Sequence, residues 1–164
     1  MSQSLIAIIS GMIGLAIGGI CIQSINRYLD TKAEYLSGKR DHLQFVYAPL
    51  EILTRINNQE FDRYLKNETS NEEREFIEQQ IWYPNNIKIR DIIMEDSHLL
   101  DEVPEELIKL LTYVNAWLAE YDLVYIRKLK EAPVYARPQG YHYPGDADEF
   151  VARQASQLRK EVSL

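Results

Sequence analysis

The chain has a single cysteine, which excludes an internal disulfide framework and any zinc site built on several thiolates. It has no surplus of positive charge. Lys and Arg number 18 against 25 Asp and Glu, a formal charge of −7. Nucleic acid is therefore not expected as a partner, because neutralising phosphates takes a surplus of bases. No Gly-x-Ser-x-Gly elbow, Walker loop or dinucleotide fingerprint occurs, so nucleophilic hydrolysis and nucleotide chemistry have no motif to rest on. No segment of useful length alternates apolar and polar residues as a half-buried strand would, and no fixed-period repeat is visible. Disorder is not indicated: 46% of residues are hydrophobic and 26% charged, the balance of an ordinary packed core. One absence is local. No charged side chain precedes Arg27.

What fills that uncharged start is an aliphatic run from Leu5 to Ile22, LIAIISGMIGLAIGGICI, broken only by Ser10 and glycines. As a helix it spans about 27 Å, close to the hydrocarbon thickness of a bilayer. A cleaved secretory signal fits less well, because no Lys or Arg precedes the run and Ile20 stands where a small residue is wanted. A membrane anchor over residues 1–24 is the expectation. Arg27, Lys32, Lys39 and Arg40 follow it and none precedes it. The positive-inside rule then places the N-terminus outside and the remainder in the cytoplasm, at the cell membrane. Ala7, Ser10, Gly11, Gly14 and Gly18 fall on one side of this helix. Small residues there let two backbones approach closely in lipid, so these five are the expected helix-packing residues.

Beyond the anchor the spacing predicts a small cytoplasmic bundle of about four to five helices, an all-α fold on a single-pass transmembrane helix. Residues 25–45 read as a juxtamembrane helix with its break at Ser37-Gly38, and residues 46–164 as the helical domain. A helix runs on through Lys66, with Pro49 inside it, and Asn67–Asn71 forms a turn. Ser70 with Glu73 makes a capping box for a helix to Ile81. Trp82-Tyr83-Pro84-Asn85-Asn86 is expected to interrupt the chain, because the residue before proline avoids the α region; Asn85 or Asn86 then caps a helix to Leu100. The longest soluble helix is expected over Glu105–Lys130, acidic at its start and basic at its end. A Pro-, Gly- and Tyr-rich tract covers Ala132–Gly145, and a last amphipathic helix begins at Asp146 or Asp148 and ends near Val162.

No catalytic residue, metal ligand or cofactor site is assigned. Glu95, Asp96 and His98 gather acid beside a histidine, but His42 and His142 lack metal-ligand spacing to them, and a solvated helix end explains the cluster. Were an enzymatic site hidden from motif reading, these three residues are where it would be sought. Tyr113, Trp117, Tyr121 and Tyr125 recur every fourth residue, as an interhelical packing face does. The candidate interaction surface is aromatic and lies in the two expected loops: Trp82, Tyr83, Arg137, Tyr141, His142 and Tyr143. The leading functional expectation is a non-enzymatic, membrane-anchored, self-associating protein whose cytoplasmic domain gathers copies or partners, of the kind seen in small toxin or antiphage membrane effectors. The alternative is a membrane-tethered adaptor or sensor that binds a cytoplasmic protein or ligand through the aromatic loops.

Overall fold

The computed structural model describes residues 3–65, 70–129 and 140–163, with side chains from Ile22 onward except Leu65. The described residues are predominantly helical and contain no strand. They form α1 (Gln3–Asp41), α2 (Ala48–Leu65), α3 (Asn71–Phe76), α4 (Tyr83–Asp91), α5 (Glu105–Tyr121) and α6 (Gly145–Val162). The chain divides into two compact units, residues 1–38 and 39–164.

In the second unit α2, α4, α5 and α6 close a ring, with α2 on α4, α4 on α5, α5 on α6 and α6 back on α2. The amphipathic spacing explains which faces turn inward. Leu107, Leu110, Val114, Trp117 and Tyr121 recur at three- and four-residue steps along α5, and all are buried. Ala147, Val151, Ala155 and Leu158 do the same along α6, meeting Val46, Leu50 and Ile89 in one continuous core.

Two expected breaks are absent. Gly38 lies inside α1, which continues to Asp41; a single glycine costs a helix only about 1 kcal/mol and does not end it. Nor does the chain leave helical geometry at Pro84, since Trp82 (φ −69°, ψ −41°) and Tyr83 (φ −59°, ψ −56°) are both right-handed helical. The helix widens instead. Ile77–Trp82 forms a π-helical turn in which the Tyr83 N–H bonds the Glu78 carbonyl five residues back. Pro49 is preceded in the same way, with the π turn His42–Tyr47 closed by the Ala48 N–H on the Leu43 carbonyl. A proline supplies no donor and crowds the carbonyl four residues earlier, and the wider turn accommodates both defects without breaking the helix. Asn85 and Asn86 consequently sit inside α4 rather than capping it.

The expected capping box is present: the Ser70 hydroxyl accepts from the Glu73 N–H, and the Glu73 carboxylate accepts from the Ser70 N–H at 2.7 Å. That donation, with the Ser70 hydroxyl beside it, holds the Glu73 carboxyl below its ordinary range. The long helix ends earlier than its basic residues suggested. After α5 comes a π turn, Asp122–Ile126; then Lys128 adopts φ +53° and the Leu129 N–H returns to the Leu123 carbonyl at 2.8 Å. This is a left-handed helix stop, with lysine where glycine is usual. The last helix begins at Gly145, within a residue of expectation.

Among the described residues no helix is long and apolar enough to cross a membrane. The side chains of Leu5 through Cys21 are not described, so the expected packing residues Ala7, Ser10, Gly11, Gly14 and Gly18 lie outside the described residues, as do Arg137 and the Asn67–Thr69 part of the expected turn.

Candidate functional site

The structure separates the expected interaction surface into buried and exposed members. Trp82 is only 4% exposed, so it is no free recognition residue: the helix that replaces the expected loop turns its ring into the core. Its indole meets Trp117 edge-on at 6.4 Å and Tyr64 at 5.7 Å. Tyr83 is half-buried and stacks on Tyr121 at 4.1 Å. Tyr141 and His142 are exposed. Tyr143 folds back, edge-on to Tyr113 at 5.0 Å. The aromatic face of α5 packs as its spacing suggested, with Trp117 and Tyr121 stacked and Tyr121 passing the contact to Tyr125. The Tyr125 hydroxyl donates to the fully buried Glu78 carboxylate at 2.8 Å. Burial, then that bond and the nearby acid, push the Tyr125 hydroxyl well above its ordinary pKa.

Two of the six residues, Trp82 and Tyr143, come together as walls of one narrow cleft. α2 contributes Asn57, Asn58 and Phe61; α4 contributes Asn86 and Ile89; α5 contributes Leu110, Tyr113, Val114 and Trp117. The enclosed part is small, about 40 Å³, and none of its lining side chains is charged.

The polar floor is a chain of side-chain amides. Asn85 Nδ2 donates to Asn57 Oδ1 at 2.9 Å, and Asn57 Nδ2 donates to Asn86 Oδ1 at 3.1 Å. The Trp82 indole N–H, on the Asn57 carbonyl at 3.3 Å, ties the wall to this floor. On the other side Asp148, in the first turn of α6, accepts from the Tyr143 hydroxyl and from Asn58 Nδ2. Burial raises the Asp148 carboxyl above its ordinary range, against the two donors that favour its charge. The Tyr143 hydroxyl is pushed far up by burial, then by the Asp148 charge and their bond. Asp148 thus pins Tyr143 over the cleft without lining it.

The three asparagines that line the cleft, Asn57, Asn58 and Asn86, were not among the expected site residues, although a signal was there. Asn57-Asn58 and Asn85-Asn86 are pairs of poor helix formers inside otherwise amphipathic stretches, and such a pair needs a reason. The acidic cluster supplies nothing comparable. Glu95 and Asp96 lie on a π turn, and His98 Nδ1 bonds the Glu95 carbonyl beside it. No group of three or more His, Cys, Asp or Glu side chains placed to hold a metal occurs among the described residues.

Along α1, several apolar side chains are exposed. Ile22 is 62% exposed, Ile25 57% and Leu29 54%, with Tyr28 and Tyr35 exposed alongside. Ile22, Leu29 and Leu36 are seven residues apart, and the same step backward in sequence meets Leu15 and Ile8.

No protein-family model, curated protein or solved structure matches this chain. The function is therefore read from these residues alone.

Proposed function

We propose that this is a non-enzymatic, single-pass membrane protein that associates with copies of itself through α1. Residues 5–22 sit in the bilayer, and residues 39–164 form a helical domain on the cytoplasmic side. The observation that carries this reading is the exposure of Ile22, Ile25 and Leu29 on α1, together with the seven-residue spacing of Ile8, Leu15, Ile22, Leu29 and Leu36 in the sequence. A strict seven-residue repeat keeps its seam facing a partner only if two helices wind around each other. Aliphatic side chains left exposed beyond the bilayer, Ile25 and Leu29, favour the same outcome. The small residues Gly11 and Gly18 fall four residues before Leu15 and Ile22, and Ile25 continues their step of seven. Close packing in lipid and a coiled-coil seam outside it then share one face. Lys32, next in that step, restricts register at some cost in stability.

The native mass of the full chain, extracted gently from a membrane, tests this directly. One homo-oligomeric species is expected, converted to monomer by Ile25→Glu with Leu29→Glu and weakened by Gly14→Ile with Gly18→Ile. A monomeric parent, or an oligomer indifferent to all four changes, would sink the reading. A second reading, a tethered module that takes a ligand, is favoured by the meeting of Trp82 and Tyr143 at one cleft.

A further inference from the structure

We infer that the cleft between α2, α4 and α5 binds a small uncharged planar carboxamide or lactam, edge-on against Asn86 and Asn58. The inference deepens the second reading above and rests on it; it needs nothing from self-association. The argument begins with the direction of the amide chain. Each asparagine passes its nitrogen to the next oxygen, from Asn85 to Asn57 to Asn86. Asn86 is the last, and its own Nδ2 meets no acceptor among the described residues although the residue is only 4% exposed and lines the cavity. Its oxygen is occupied by Asn57, so what remains is a donor. Hydrogen bonds aligned in series polarise one another, which makes the terminal donor a stronger one.

Asn58 is left in the complementary state. Its Nδ2 is held by Asp148, and its Oδ1 accepts nothing among the described residues. A donor and an acceptor lining one cavity suit a ligand with a carbonyl beside an N–H, which is the edge of a primary amide or a lactam. The walls ask for a flat face, because Trp82, Trp117, Tyr113 and Tyr143 present rings on several sides. With no charged side chain lining the cavity, a carboxylate or ammonium would be desolvated without a counter-charge. The enclosed volume, about 40 Å³, has room for about three water-sized groups. An amide edge enters it, and the rest of the ring lies in the mouth.

Both tryptophans of the chain line this cavity, so intrinsic fluorescence reports on it with little background. The full chain in detergent is titrated with benzamide, with benzoate and with benzene, and the same series is repeated by calorimetry. Benzamide is expected to give a saturable one-to-one change, with benzoate and benzene each at least tenfold weaker. Asn86→Ala should weaken benzamide at least tenfold while leaving benzene unchanged. If that variant fails to fold, Asn58→Ala reads the acceptor side in the same way. Equal binding of benzamide and benzene, preference for benzoate, or no saturable change with any probe would each overturn the inference. None of these outcomes bears on the oligomer mass, so failure here is distinguishable from failure of the self-association reading.

Discussion

At the scale of single residues, the bundle depends on a few large buried side chains and on polar groups placed where burial is costly. Trp117 is 1% exposed and touches Trp82 and Tyr121 through its ring. Trp117→Ala should lower the unfolding free energy by about 3–5 kcal/mol in a urea titration, since the cavity it leaves is walled by other rigid rings. Tyr125→Phe removes a donor from the fully buried Glu78 carboxylate and is expected to cost about 1–3 kcal/mol. Much of that loss should disappear when Glu78→Gln is already present, because the neutral amide needs the donor less. Asp148 gives a pH signature. Its folded-state pKa lies above its unfolded value, so the folded protein holds this proton more tightly. Its contribution to stability therefore declines as pH rises from near 4 through the raised folded value. Asp148→Asn should abolish that part of the pH dependence in melting curves taken across the weakly acidic range. An unchanged profile would show that burial of this carboxyl has no thermodynamic weight.

At the scale of elements, the helices are governed less by propensity than by how each defect is absorbed. Pro49 and Pro84 both stand at the second position of an α-helix that follows a π turn. The wider turn lets two donor-lacking residues sit within nearly continuous helix, and it rotates the side chains beyond it. At Pro84 that rotation carries Trp82 inward and sets Asn86 in the cavity wall. The stop after α5 bears a strain of another kind. Lys128 holds φ +53°, where any residue with a Cβ is disfavoured, and Lys128→Gly should raise stability by about 1 kcal/mol in chemical denaturation. A neutral or destabilising result would mean that the lysine side chain compensates there. The start of α3 depends on its cap: Ser70→Ala should lose about 1 kcal/mol by removing the oxygen that receives the Glu73 N–H.

At the scale of the molecule, the core of residues 39–164 is drawn wholly from within that unit. Expressed without residues 1–38 it should melt cooperatively by circular dichroism; a broad, non-cooperative loss of helix would contradict the division into two units. Four tyrosines of the same unit resist ionisation. Burial leads the causes that raise Tyr47, Tyr121, Tyr125 and Tyr143 above the ordinary value of 10.0. A raised folded value means stability that is fully present below the unfolded pKa and is lost as pH climbs past it. Ionisation of these four hydroxyls, read as the tyrosinate absorbance that each Tyr→Phe variant removes, should therefore coincide with loss of helicity above pH ~10. Their ionisation ahead of any loss of helicity would show that these hydroxyls ionise inside an intact fold.

The all-α class, the inward faces of α5 and α6, the Ser70 cap and the start of the last helix were all legible in the residue order, because three- and four-residue periodicity and capping chemistry are local properties. The seven-residue spacing of Ile22, Leu29 and Leu36 was legible too, though the exposure of Ile22 and Leu29 was not. What the tertiary structure alone decided is where the irregular residues go. A Trp-Tyr-Pro sequence reads as a loop when only backbone preference is weighed, yet packing against α5 favours the π turn that keeps the helix going. Asparagines spaced 28 and 29 residues apart acquire a shared direction only when α2 and α4 lie side by side. The cleft exists for that reason: its chemistry belongs to donors and acceptors that sequence distance keeps apart and the closed ring of helices brings within hydrogen-bond reach.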